Sequence, residues 1–179
     1  MTQTNEELMQ QVKLADTEAL GILYERLRDP LYCFLYRYTK EEQLSIDIVH
    51  DTFEVLQKKK TTYEMEKGTV KAFVFQVAYR LLINKLNRRK RWQKLVPFLM
   101  PTQVKTLLPE ETMVVQQAIF ALPDKQRAVI LLAYYEDLPI AHIAHILDIP
   151  EGTVKSRLHH AMKALKDVLK EDFQNERGY

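Results

Sequence analysis

The stretch "DIPEGTVKSRLHHAMKALKDVL", residues 148–169, decides the fold. Wound at about 100° per residue, it puts Val154, Leu158, Ala161, Leu165 and Val168 on one stripe and Ser156, His159, His160, Lys163 and Lys166 on another. An apolar stripe demands a partner, and Ile140, Ile143, Ala144 and Leu147 offer one just upstream. Two short helices joined by "DIP" have the dimensions of a helix-turn-helix. The polar stripe then points outward. Small, hydrogen-bonding side chains on the first turns of a gripped helix fit a DNA major groove about 12 Å wide, although a merely solvated face has the same pattern.

The same three- and four-residue apolar spacing recurs almost everywhere, strand-like alternation is absent, and Pro and Gly are sparse, so the chain is expected to be all-α. Helices are expected over 4–15, 16–28 and 30–38, the second capped by Asp16 and the third opened by Pro30. A capping box at Thr39–Glu42 should start a fourth helix running to about Lys59. The polar "QKKKTTYEMEKGT" follows, then a long apolar-to-basic helix from Thr69 to about Trp92. "QKLVPFLMPTQVKTLLPEET" carries Pro97, Pro101 and Pro109 and cannot propagate a helix unbroken. It divides the chain into two small helical domains, 1–92 and 110–179, joined by a flexible linker over 93–109. Four helices are expected beyond it, over 110–122, 123–135, 139–147 and 151–170.

Charge is partitioned along the chain. The formal net charge is only +2, yet residues 1–60 hold eight Lys/Arg against eleven Asp/Glu. From Arg80 to Lys94 there are seven cations and no acid, and from Glu151 to Lys170 five cations against two acids. Clustered Lys and Arg bind phosphates by releasing counterions. Two basic helices flanking a linker therefore suggest two grips on one nucleic acid. With no apolar signal segment and no run long enough for a membrane span, the expected location is cytoplasmic. Cys33 stands alone, which permits no internal disulfide, and it reads as a small core residue. His142, His145, His159 and His160 lack a carboxylate or Cys at metal-site spacing, and no phosphate loop or nucleophile elbow is present, so neither a metal, a cofactor nor an enzyme is expected.

Three segments together resemble one family. "DIVHDTFEVLQK" is similar to region 2.2, "TVKAFVFQVAYRLLINKLNRRKR" to regions 2.3 and 2.4, and "ALPDKQRAVILLAYYEDLPIAHIAHILDIPEGTVKSRLHHAMKALK" to region 4 of the extracytoplasmic-function sigma factors, the minimal members of the sigma-70 family. Ordered matches in both halves are far more specific than a helix-turn-helix alone. The resemblance implies an alternative sigma factor that binds core RNA polymerase and promoter DNA and promotes transcription initiation, held off by an anti-sigma factor.

Carried onto this chain, the resemblance makes Asp47, His50, Asp51 and Glu54 candidates for docking on the clamp of the largest polymerase subunit, on the polar side of a helix whose core is Ile46, Val49, Phe53 and Leu56. It brings Arg80, Asn84, Asn87, Arg88 and Arg89 to the minus-ten element, with Thr61, Thr62 and Tyr63 building a pocket for an unstacked base. It lays Thr153, Lys155, Ser156, Arg157, His159, His160 and Lys163 nearest the minus-thirty-five element. There are departures: His160 and Met162 stand where arginines are common, Phe73 where a tryptophan is, and Arg80 where an asparagine is. Without the resemblance, a DNA-binding regulator with an N-terminal sensory module, or a helical adaptor, would carry the same helices.

Overall fold

The computed structural model describes residues 3–95 and 110–176 of the 179-residue chain. Among these residues every regular element is helical. Helix α1 (Asn5–Lys13) begins with a reciprocal capping box: Glu7 N–H donates to Thr4 Oγ1 at 3.1 Å, and Thr4 N–H to Glu7 Oε2 at 2.8 Å. Asp16 caps α2 (Thr17–Thr39) as expected, its Oδ1 accepting from the Glu18 and Ala19 amides.

The separate helices expected over 16–28 and 30–38 are one. Pro30 sits inside α2, where it forfeits a single backbone donor. Leu23, Leu27, Leu31, Phe34, Leu35 and Tyr38 form one buried stripe across it, and that burial holds the helix continuous. The capping box expected at Thr39–Glu42 also fails. Thr39 is the last residue of α2; its hydroxyl donates to Leu35 O and accepts from the Glu41 amide. Helix α3 (Glu42–Lys58) starts without a side-chain cap after Lys40 turns the backbone through φ +57°.

Two single 3₁₀ turns, Lys60–Thr62 and Met65–Lys67, lead to Gly68 at φ +142°, a conformation that strains any L side chain. The long α4 (Val70–Leu95) follows, running past the expected end at Trp92. Residues 96–109, with the three linker prolines, lie outside the described residues. Then come α5 (Glu110–Ala121), α6 (Asp124–Ile130), a π-helical continuation over Leu131–Tyr135, α7 (Ile140–Leu147) and α8 (Glu151–Glu176). Asp148, at φ +55°, closes α7, and Pro150 stands immediately before α8.

Helices α1–α4 bury Leu8, Leu31, Phe34, Phe75 and Leu82, while α5–α8 bury Val129, Leu132, Ile143, Val154 and Ala161. The two bundles share one continuous apolar core, with α7 lying along α4 and the α5 and Leu131–Tyr135 segments against α2. No helix among the described residues is long and apolar enough to cross a membrane.

Candidate functional site

The two faces of α8 separate as the periodicity requires. Val154, Ala161 and Leu165 are buried, whereas Lys155, Ser156, His159, His160, Lys163 and Lys166 are exposed and Thr153 is half-buried. The apolar stripe is narrower than expected: Leu158 is only half-buried and Val168 is exposed. The Ser156 hydroxyl donates back to Thr153 O at 3.1 Å, and the His159 and His160 rings meet edge to face at 5.7 Å. Arg157 is half-buried, and burial raises the Tyr79 phenol pKa on α4 while the Arg157 charge lowers it.

On α4, Arg80, Asn84, Asn87, Arg88 and Arg89 are all exposed. Arg89 pairs with Glu41 at 2.5 Å, and Lys85 with Asp51 at 2.7 Å. Where α4 begins, the 3₁₀ turns enclose a hollow of about 230 Å³ whose walls include Thr62, Thr69, Phe73, Gln76 and Arg80. Tyr63 backs this hollow: it is 2% exposed, its hydroxyl donates to Gly68 O at 3.1 Å, and its ring packs on Phe73. Burial raises its phenol pKa, with Glu6 and Glu66 adding to the rise. Tyr63 is thus a strut of the loop, and the exposed Thr61 does not line the hollow. Phe73 and Gln76 were missed as wall residues. The signal for Gln76 was present, since it is the one amide within the apolar run 72–79.

Asp47, His50 and Glu54 are exposed on α3 and Asp51 is half-exposed. Three of the four already have partners: Gln43 Nε2 donates to Asp47, Lys58 pairs with Glu54, and Lys85 pairs with Asp51. Beneath them the expected core is nearly right, with Val49, Phe53 and Leu56 buried, Ile48 fully buried and Ile46 only half-buried. Beside Glu54 an open groove of about 790 Å³ runs between α2 and α3, floored by Leu20, Ile22, Tyr24 and Phe53 and rimmed by Glu18 and Glu25. Sequence reasoning missed it, because nothing in the periodicity distinguishes an apolar residue in a groove from one in a core. Cys33 is half-buried. Among the described residues, no three His, Cys, Asp or Glu side chains gather closely enough to hold a metal ion.

The sigma-70 region 2 family model matches residues 23–92, and the sigma-70 region 4 model matches residues 112–165. The chain belongs to the sigma-70 family. It is 28% identical to the extracytoplasmic-function RNA polymerase sigma factor SigW of Bacillus subtilis (strain 168), over 91% of this chain and 95% of that protein. It is likewise 28% identical to the extracytoplasmic-function sigma factor SigL of Mycobacterium tuberculosis (strain ATCC 25618 / H37Rv), over 88% and 92% respectively. Its fold is similar to the sigma factor RpoE in complex with the anti-sigma factor NepR from Bartonella quintana, with a TM-score of 0.72 at 22% identity over 86% of this chain and 96% of that one. CnrH in complex with the cytosolic domain of CnrY gives a TM-score of 0.70 at 20% identity, over 92% and 96%. This sigma factor is of the extracytoplasmic-function type, a transcription-initiation factor and not an enzyme.

Proposed function

We propose that this alternative sigma factor holds promoter DNA by two separate faces and core polymerase by a third, and acts in the cytoplasm. Region 4, within 110–179, lays α8 in the major groove of the minus-thirty-five element. There Ser156, His159 and His160 reach base edges while Lys155, Arg157 and Lys163 reach phosphates, with Thr153 at the helix start. Region 2, within 1–92, brings Arg80, Asn84, Asn87, Arg88 and Arg89 to the minus-ten element. The hollow beside Thr62 and Tyr63 takes an unstacked base, and Thr61 stands at its approach. The α3 face of Asp47, His50, Asp51 and Glu54 docks on the clamp of the largest polymerase subunit, with the acidic-rimmed groove beside Glu54 extending that surface.

The observation that carries this reading is the division of α8: a polar, hydrogen-bonding face lies exposed on a helix whose opposite face is buried against α5, α6 and α7. A helix built to stay solvated has no need of the short gripping helix beside it. An anti-sigma factor is the proposed inhibitory partner. Two sigma factors of similar fold support it, RpoE solved with the anti-sigma factor NepR and CnrH solved with the cytosolic domain of CnrY. Run-off transcription with core polymerase on a library of promoter fragments tests the assignment. Promoter-dependent transcripts support it. Tight duplex binding that is indifferent to polymerase, with no transcript, would replace it with a simple DNA-binding regulator.

A further inference from the structure

Among the described residues, none of the walls of the base-sized hollow comes from α1, yet α1 holds both of the segments that supply them. One segment is the start of α4. The first amides of a helix have no partner within it. In α4 the Thr69 hydroxyl accepts from Ala72 N–H at 3.2 Å, but Val70 N–H is met from 64 residues away, by Glu6 Oε1 of α1 at 3.1 Å. A carboxylate at that end also meets the positive pole of the helix. The bond fixes the first turn of α4, and Phe73 and Gln76, within its next two turns, are walls of the hollow.

The second segment is the turn around Tyr63. The Lys60–Thr62 turn buries no residue of its own, so its shape has to be set from outside. Lys13 Nζ, in the last turn of α1, lies 5.3 Å from the centroid of the Tyr63 ring. Tyr63 passes the constraint on, its hydroxyl donating to Gly68 O and its ring packing on Phe73 at 5.4 Å. After burial, the Glu6 charge is the next cause of the raised Tyr63 phenol, so Glu6 stands within electrostatic reach of the same residue. Helix α1 is itself anchored: Leu8, Met9 and Val12 are buried, and Arg26 of α2 donates to Gln3 O at 2.7 Å and to Asn5 Oδ1 at 3.1 Å. Glu6 and Lys13, seven residues apart, lie about two turns and 10 Å apart along one face of this fixed helix.

We propose that Glu6 and Lys13 are positioning residues of minus-ten recognition, which from behind the hollow hold the start of α4 and Tyr63 at the separation that admits one base and rejects others. This rests on the reading of the hollow as the seat of an unstacked base. Neither side chain has to touch DNA: a preformed hollow saves the cost of ordering its walls when the base arrives, and that saving is largest for the base whose shape matches.

Selection of minus-ten sequences from a randomised promoter library by the polymerase holoenzyme measures preference at the unstacked base, with the minus-thirty-five preference from the same library as internal reference. Glu6→Ala should reduce the minus-ten preference about tenfold, the worth of one hydrogen bond to a charged group. Glu6→Gln, whose carbonyl oxygen still accepts from Val70 N–H, should recover most of it. Lys13→Ala should reduce it about threefold. The two alanine variants change the charge of the chain in opposite directions, so their direct effects on DNA affinity oppose each other and a shared loss of discrimination isolates positioning. The minus-thirty-five preference should not move. A role confined to stability would lower transcript from every promoter alike and leave the ratio of preferred to disfavoured base unchanged; that result in Glu6→Ala and Lys13→Ala overturns the proposal, as does loss of both preferences together. If Glu6→Ala melts below the assay temperature, Lys13→Ala carries the same decision. Phe73→Ala and Arg80→Ala, in the walls themselves, judge the hollow separately. Unchanged preference in both removes the base seat and the positioning role with it, whereas a changed preference there, beside wild-type preference in Glu6→Ala and Lys13→Ala, removes the positioning role alone.

Discussion

Val154→Ala and Ser156→Ala, two residues apart on α8, should have opposite consequences. Val154 is fully buried between α8 and its neighbours. Removing two buried carbons costs about 0.8 kcal/mol each in transfer, and the cavity brings the loss to about 2–3 kcal/mol. For a chain of this size each kcal/mol moves Tm by about 2–4 °C, so Val154→Ala should melt about 4–12 °C lower. Ser156 is exposed, and its hydroxyl is bonded only to Thr153 O of its own helix. Alanine suits a helix interior better, so Ser156→Ala should melt within about 2 °C of wild type. What it should lose is discrimination at one base of the minus-thirty-five element, about 1–3 kcal/mol, or roughly 5- to 150-fold. His160→Ala, also exposed, should shift a second base by a similar amount. Scanning calorimetry gives the first quantity, and selection from a randomised promoter library by the polymerase holoenzyme gives the second. If Ser156→Ala loses as much stability as Val154→Ala, or if both polar substitutions leave base preference unchanged, the face assigned to DNA is not one.

On α4, Arg88→Glu should cripple promoter opening while leaving core-polymerase binding intact; Arg89→Glu should do so as well and in addition set like charges against Glu41, now its partner at 2.5 Å. Transcription at wild-type level in the double variant would remove α4 from the minus-ten assignment. Arg127 donates to Tyr38 O, Phe120 O and Leu122 O, so Arg127→Ala should cost about 3 kcal/mol, and Arg127→Lys should recover little because an ammonium cannot reproduce the planar fork; calorimetry of both variants checks this. Burial raises the Glu136 carboxyl above its ordinary 4.5, with Lys71 and then Arg37 pulling it back. A raised folded value means that the proton is held more firmly in the folded chain. The stability from this group is therefore full below the ordinary value and lost as pH rises through the raised one. The difference in Tm between wild type and Glu136→Gln, followed upward from pH 4.5, should shrink or change sign across that window; a flat difference would contradict it.

Helix types and most boundaries were legible because burial in a helical bundle leaves a period in the sequence, and α8 shows that period most clearly. The errors came where local signals competed with tertiary burial. Pro30 looked like a start, yet the stripe from Leu23 to Tyr38 overrode it. Thr39 looked like a cap, yet it serves the end of α2. Most site residues on regular helices lie on the expected exposed faces, since a helix fixes where a side chain points; Arg157, half-buried beside α4, is the exception. Those in the 58–68 connection were placed only in part: Thr62 and Tyr63 line the hollow but Thr61 does not, because a 3₁₀ turn around a buried Tyr63 has no period to read. The contact between α4 and α7 was invisible for a further reason: its partners, such as Gln76 and His145 O, are single polar groups whose pairing depends on how two bundles meet.

Charge shows the same limit from another side. Counting cations from Arg80 to Lys94 gives a surplus of seven, but the fold sets Lys85 against Asp51, Arg89 against Glu41 and Lys90 against Asp124. Carboxylates before and within α3 and at the start of α6 thus offset part of the charge of α4 in three dimensions, and the resting field along α4 is weaker than its sequence suggests. The pairs are partly or fully exposed, and exposed pairs contribute only about 0–1 kcal/mol each. A duplex offers a denser row of charges than three scattered carboxylates, so each cation can exchange its carboxylate for a phosphate at little cost. The surplus read from the sequence is therefore a poor measure of the field around the free chain and a good measure of the one DNA meets, and the salt dependence of binding should count the paired cations together with Arg80 and Arg88.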